Sequence, residues 1–127
     1  MAKKLVHWLA IIAWAGIIFY FSHQPDLKSS LPDFWDFIFR KIAHICEYAV
    51  LAFILIRTFI HHKMTGKNSA ILAAITAVSY AIGDEYHQTF IIGRSGCIRD
   101  VLIDSIGIFF ITIFYKPKIA KNENLPN

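Results

Sequence analysis

The chain has 127 residues, of which 56% are hydrophobic, 15% aromatic and only 17% charged, with a mean hydropathy of +0.48. A soluble globule carries about a quarter charged residues, so this apolar excess, gathered in blocks, argues against a water-soluble domain and for a membrane protein. The net charge of +4 invites a nucleic-acid reading, but the basic residues flank apolar blocks and build no separate aromatic-studded face.

The first predicted element is Leu5–Phe21, about 26 Å of helix at about 1.5 Å per residue and just enough to span a bilayer. Lys3 and Lys4 precede it, as in a signal peptide, but Phe19-Tyr20-Phe21 at its end offers no small-residue cleavage pattern, so a retained helix is expected. Residues 22–33 hold Pro25 and Pro32 and read as a loop, with Asp33 as N-cap of the next helix. That second helix, 34–60, carries Arg40, Lys41, His44 and Glu47 in its first half and then turns apolar. A basic turn, 61–68, leads to a third helix over 69–90, which ends in GDEYHQTF. Gly93 and Gly96 mark a turn, and a fourth helix over 100–115 begins with Asp100 and Asp104. Residues 116–127 are polar and expected to be a disordered tail. The expectation is one all-α domain, 1–115, an integral membrane four-helix bundle.

Charge bias gives the bundle a direction. Lys3 and Lys4, then Arg57, Lys63 and Lys67, then Lys116, Lys118 and Lys121 mark both termini and the middle loop as cytoplasmic. The first loop has Asp26, Asp33 and Asp36 against Lys28 and is assigned outside; Arg94 and Arg99 in the third loop dissent. With this topology the charged stretches of helices two, three and four all reach the outer face of a multi-pass protein of the cell membrane. Their agreement in depth points to one site, because ionisable residues within membrane helices are costly and usually functional.

Helical periodicity sharpens the grouping. Arg40, His44 and Glu47 fall within about 40° of one another, with Lys41 and Tyr48 to one side. Asp84 and Gln88 share a face that continues along Ala70, Ala73, Ala74, Ala77 and Ala81, a small-residue stripe that permits close helix approach. Asp100, Asp104 and Gly107 form the corresponding edge of the fourth helix.

The strings FSHQP, KIAHICEY, GDEYHQTFIIGR, Arg99-Asp100 and DVLIDSIG together resemble the VanZ-like family, over about residues 20–107. The resemblance implies a small bacterial membrane protein, whose namesake is associated with resistance to the lipidated glycopeptide teicoplanin without making the altered cell-wall precursor. The matching positions are Ser22, Gln24, Lys41, His44, Glu47, Tyr48, Asp84, Glu85, His87, Gln88, Arg94, Asp100 and Gly107. The family usually has Asn where this chain has Asp104, which adds an acid at that position.

The preferred reading is a polar pocket open to the outer leaflet. His44, Glu47, Asp84, Glu85 and His87 are its acid/base candidates. Lys41, Tyr48, Gln88, Arg94, Asp100 and Asp104, with Arg99, are its binding candidates, the cations suited to an anionic headgroup. The expected partners are membrane lipids or a lipid-linked cell-wall precursor; nucleic acid is not expected, and self-association and enzymatic turnover are left open. His44, Glu47, Asp84 and His87 also offer ligand types that zinc accepts, but no metal is assigned and no cofactor is indicated. The competing reading is that the charged groups only bridge helices. A transporter fits less well, because the cluster lies at one face and away from the midplane. Cys46 and Cys97 form no metal spacing or disulfide framework, and His61 and His62 are expected to be solvated.

Overall fold

The computed structural model describes residues 2–25 and 30–116. Four helices run in order: α1 (Ala2–His23), α2 (Asp33–His61), α3 (Gly66–Gln88) and α4 (Ile98–Phe114), with no strand among the described residues. Asp26, Lys28, Lys118, Lys121 and nearly all of the expected tail lie outside the described residues.

The helix ends differ from the sequence expectation in instructive ways. α2 starts at Asp33 itself, with Pro32 in the N-cap position and no side-chain cap, so Asp33 is a first-turn residue. There its charge, with that of Asp36, faces the positive end of the helix dipole. Thr65 caps α3 by accepting the Asn68 N–H at 3.3 Å. α3 stops at Gln88, before the expected end, where Thr89 turns its hydroxyl back onto the Tyr86 carbonyl at 2.6 Å. α2 ends through Lys63, which adopts a φ of 66° and donates to the Ile60 carbonyl at 2.8 Å. That left-handed position is usually filled by glycine.

α2 is the central element and packs on all three others; α3 and α4 pack on it and on each other. α1 leans on α2 and more lightly on α3, and does not touch α4. The reason lies in the residues presented. Ala73, Ala77 and Ala81 are fully buried and let α3 approach α2 closely, where Tyr48, Leu51, Ala52, Leu55 and Ile56 meet them. Gly107 performs the same service for α4: a Cβ there would overlap the Ile45 carbonyl oxygen of α2. α1 contributes only Ile18 and Ser22 to the buried set.

Outside this thin core the surface is strongly apolar. Ile12, Phe34, Ile75, Phe110, Ile113 and Phe114 are each at least 58% exposed. Apolar exposure on this scale suits lipid and is rare on a soluble monomer. Two helices, Lys3–His23 and Asp33–His61, are long and apolar enough to cross a membrane by length and composition.

Candidate functional site

The charged first half of α2, the end of α3 and the start of α4 meet in one cavity of about 220 Å³. α2 supplies Arg40, Lys41 and His44, α3 supplies Glu85 and Gln88, and α4 with the loop before it supplies Arg94, Arg99, Asp100 and Asp104. The lining is held by matched groups at successive depths. Arg40 pairs with Asp36 at 3.1 Å within α2, Lys41 meets Asp100 at 2.6 Å, and His44 Nδ1 lies 3.6 Å from Asp104 Oδ1. The last two bridge α2 to α4 and align the helices just above the Gly107 contact.

Glu85 and Arg94 have jobs that neither residue type announces. The first N–H groups of a helix lack internal partners. At α4 the Cys97 N–H donates to Glu85 Oε1 at 2.7 Å, so an acid from α3 caps α4 from outside. Arg94 does the converse at the end of α1: its Nε and Nη2 donate to the Gln24 and Phe21 carbonyls at 3.2 and 3.1 Å. A cation at a helix C-terminus also complements the dipole. The loop between α3 and α4 is thereby pinned to both neighbouring helices.

Asp84 sits behind this cavity, in a buried node that joins α1, α2 and α3. Its Oδ2 accepts the Ser22 hydroxyl at 2.6 Å, the Tyr48 hydroxyl at 3.2 Å and the Gln88 amide at 3.4 Å. Its Oδ1, like His44 Nδ1, is buried without a hydrogen-bond partner. Two further links hold α1 here, from Trp14 Nε1 to the Glu47 carbonyl at 2.9 Å and from the Tyr80 hydroxyl to the Ala15 carbonyl at 2.7 Å.

The VanZ/LLP1 family model matches residues 7–121. The chain belongs to the VanZ/LLP1 family. A relative from Bacillus subtilis (strain 168), described as uncharacterized membrane protein YwnJ, is 32% identical over 114 residues, which cover 84% of this chain and 75% of the relative. No solved structure matches. The chain is thus a membrane protein of the VanZ/LLP1 family, and its exposed apolar helix faces fit that setting.

The candidate residues of this VanZ protein divide into three places. His44, Glu85, Lys41, Gln88, Arg94, Asp100 and Asp104, with Arg99, line the α2–α3–α4 cavity. Asp84 and His87 line a separate groove between α1 and α3, with Phe19, Ser79, Tyr80 and Gly83. Glu47 and Tyr48 line neither; Tyr48 is fully buried as an Asp84 donor. His87 faces α1, where its Nε2 lies 3.1 Å from His23 Nδ1 and its ring packs on Phe19. The four residues weighed as zinc ligands are therefore dispersed, and no three His, Cys, Asp or Glu side chains converge as a metal site among the described residues. Cys46 and Cys97 are free thiols. His62 is engaged as the acceptor of the Trp8 indole N–H at 3.0 Å, while His61 is exposed and tilted against the His7 ring.

Two participants escaped the sequence reading. Ser22 entered only through the resemblance, although a hydroxyl at the last turn of an apolar helix is a signal for a partner elsewhere in the bundle. Tyr80, within an apolar run, gave no signal beyond its own hydroxyl.

Proposed function

We propose that this VanZ/LLP1-family protein crosses the bacterial cytoplasmic membrane four times, with both termini cytoplasmic. Its α2–α3–α4 cavity then opens at the outer leaflet and holds the anionic headgroup of a lipid or lipid-linked cell-wall molecule. One observation carries the reading: two guanidinium groups at the cavity pair with no acid among the described residues. Asp100 is bound by Lys41, Asp104 stands against His44 and Glu85 takes the Cys97 N–H. Arg94 donates only to neutral carbonyls, and Arg99 has no ion pair or hydrogen bond among the described residues. A planar guanidinium matches phosphate or carboxylate oxygens two at a time. A protein that withholds or alters such a molecule changes what a lipidated glycopeptide such as teicoplanin can reach. His44 is the candidate for moving a proton on the bound molecule, with Asp104 on its Nδ1 side.

The test is native mass spectrometry of the detergent-solubilised protein with phosphatidylglycerol. Arg99→Gln should lower the bound fraction about tenfold, the effect of losing one charge-assisted contact, with the melting temperature unchanged. Equal retention by the variant overturns the reading. A second reading, that the charged groups only fasten helices together, draws on the Lys41–Asp100 pair and the Arg94 clamp. It expects Arg99→Gln to change nothing and Lys41→Ala to lower stability alone.

A further inference from the structure

Asp84 stands apart from Asp36 and Asp100 in this cluster. Those two have cations beside them, Arg40 and Lys41. Asp84 receives only neutral donors, from Ser22, Tyr48 and Gln88, and all of them on Oδ2. His44 lies within electrostatic range, but its Nδ1 is directed toward Asp104. Glu47 lies within electrostatic range of both Asp84 and Arg94 and has no salt bridge among the described residues. The residue is only 5% exposed and Oδ1 has no partner. A buried carboxylate held by neutral donors alone is costly, and a cation relieves that cost.

The surroundings say what kind of cation fits. Asp84 walls the groove of about 300 Å³ between α1 and α3, and its other walls are the rings of Phe19, Tyr80 and His87 with the small residues Ser79 and Gly83. Aromatic faces beside a carboxylate are the composition that takes an organic ammonium, whose charge is attracted to the rings and whose N–H groups bond the acid. Hydrated metal ions need oxygen or nitrogen ligands on several sides, and the groove offers chiefly carbon.

We propose that this groove is a second binding site, distinct from the anion cavity, and that it takes a primary ammonium group donating to Asp84 with its carbon stem between Phe19 and Tyr80. The group can belong to a lipid headgroup or to a free amine, and the two sources separate in the test. Wild-type protein in detergent is offered phosphatidylethanolamine, phosphatidylcholine and phosphatidylglycerol in native mass spectrometry. Phosphatidylethanolamine should be retained several-fold over phosphatidylcholine, which has no N–H to donate. Asp84→Asn should lower that retention about tenfold. Gly83→Leu tests the groove without touching the node: a Cβ at Gly83 meets nothing within 4 Å, so the new side chain should fill the site and block it in a folded protein. Displacement by millimolar ethanolamine shows that the free amine suffices; retention against it shows that the lipid is required. Equal binding of phosphatidylethanolamine by wild type and Gly83→Leu overturns the proposal whether or not Asp84→Asn folds. So does equal binding of the choline lipid. The anion reading is judged separately, on phosphatidylglycerol and Arg99→Gln.

Discussion

Placing a methyl group on each of two glycines offers a direct test of how the bundle is held. At Gly107 a Cβ would overlap the Ile45 carbonyl oxygen and lie 3.0 Å from the Ile45 carbonyl carbon and 3.2 Å from the Ala49 Cβ. The obstacle is backbone, which has no rotamer with which to yield, so α4 must move off α2. That movement lengthens the Lys41–Asp100 and His44–Asp104 bridges a turn or two away. Overpacking of a tight contact costs about 1–3 kcal/mol. At Gly16, on α1, a Cβ meets nothing within 4 Å, and alanine in a helix interior is favoured over glycine by about 0.5–1 kcal/mol. The two variants should therefore separate by roughly 1.5–4 kcal/mol, in opposite directions from wild type. Denaturant unfolding in detergent micelles, followed by tryptophan fluorescence, measures both. A Gly107→Ala midpoint at or above that of Gly16→Ala would refute the close approach of α2 and α4.

Three further outcomes follow from single contacts. Lys63→Gly should raise stability by about 1 kcal/mol, because glycine adopts the left-handed conformation at that position without the steric cost of a Cβ; thermal unfolding checks it. Tyr48→Phe removes one of three donors to Asp84 Oδ2 and should cost about 0.5–1.5 kcal/mol. Ser22→Ala, which removes the 2.6 Å donor, should cost at least as much, and a reversed order argues against the node. Arg94→Ala should make the end of α1 more susceptible to proteolysis, with Arg94→Lys restoring only part of the protection because one ammonium cannot span the two carbonyls at the Arg94 geometry.

Much of the architecture was legible because lipid leaves few choices. Blocks of apolar residues long enough for helices, separated by Pro, Gly and basic turns, mark out four elements, and the alanine stripe from Ala73 to Ala81 identifies the α3 face that packs. Helical periodicity also set Lys41 and His44 three residues apart on α2, and Asp100 and Asp104 four apart on α4, each about one turn, which is the spacing at which they meet. Other features depend on what stands opposite a helix, and periodicity is silent on that. Asp84 and Glu85 are adjacent in sequence, yet α1 covers one and the α4 N-terminus receives the other. His87 lies on the groove side only because α1 brings Phe19 and His23 to it. Arg94 looks like a ligand-binding group by residue type, and the two carbonyls it serves belong to a helix end about seventy positions earlier.

The Ser22–Asp84 bond also bears on the order in which the chain is built. Its partners are 62 positions apart, and both α1 and α2 are synthesised before Asp84 is added. Between themselves α1 and α2 share the Trp14–Glu47 carbonyl link, and neither supplies the acceptor of the Ser22 hydroxyl. α3 then arrives with an acid that gains a donor from each of the waiting helices, Ser22 from the first and Tyr48 from the second. An acid that hinders its own helix from resting in lipid alone thus becomes the reason for that helix to join the other two. The Asp84 node joins the first three helices, and α4 completes the cavity beside it.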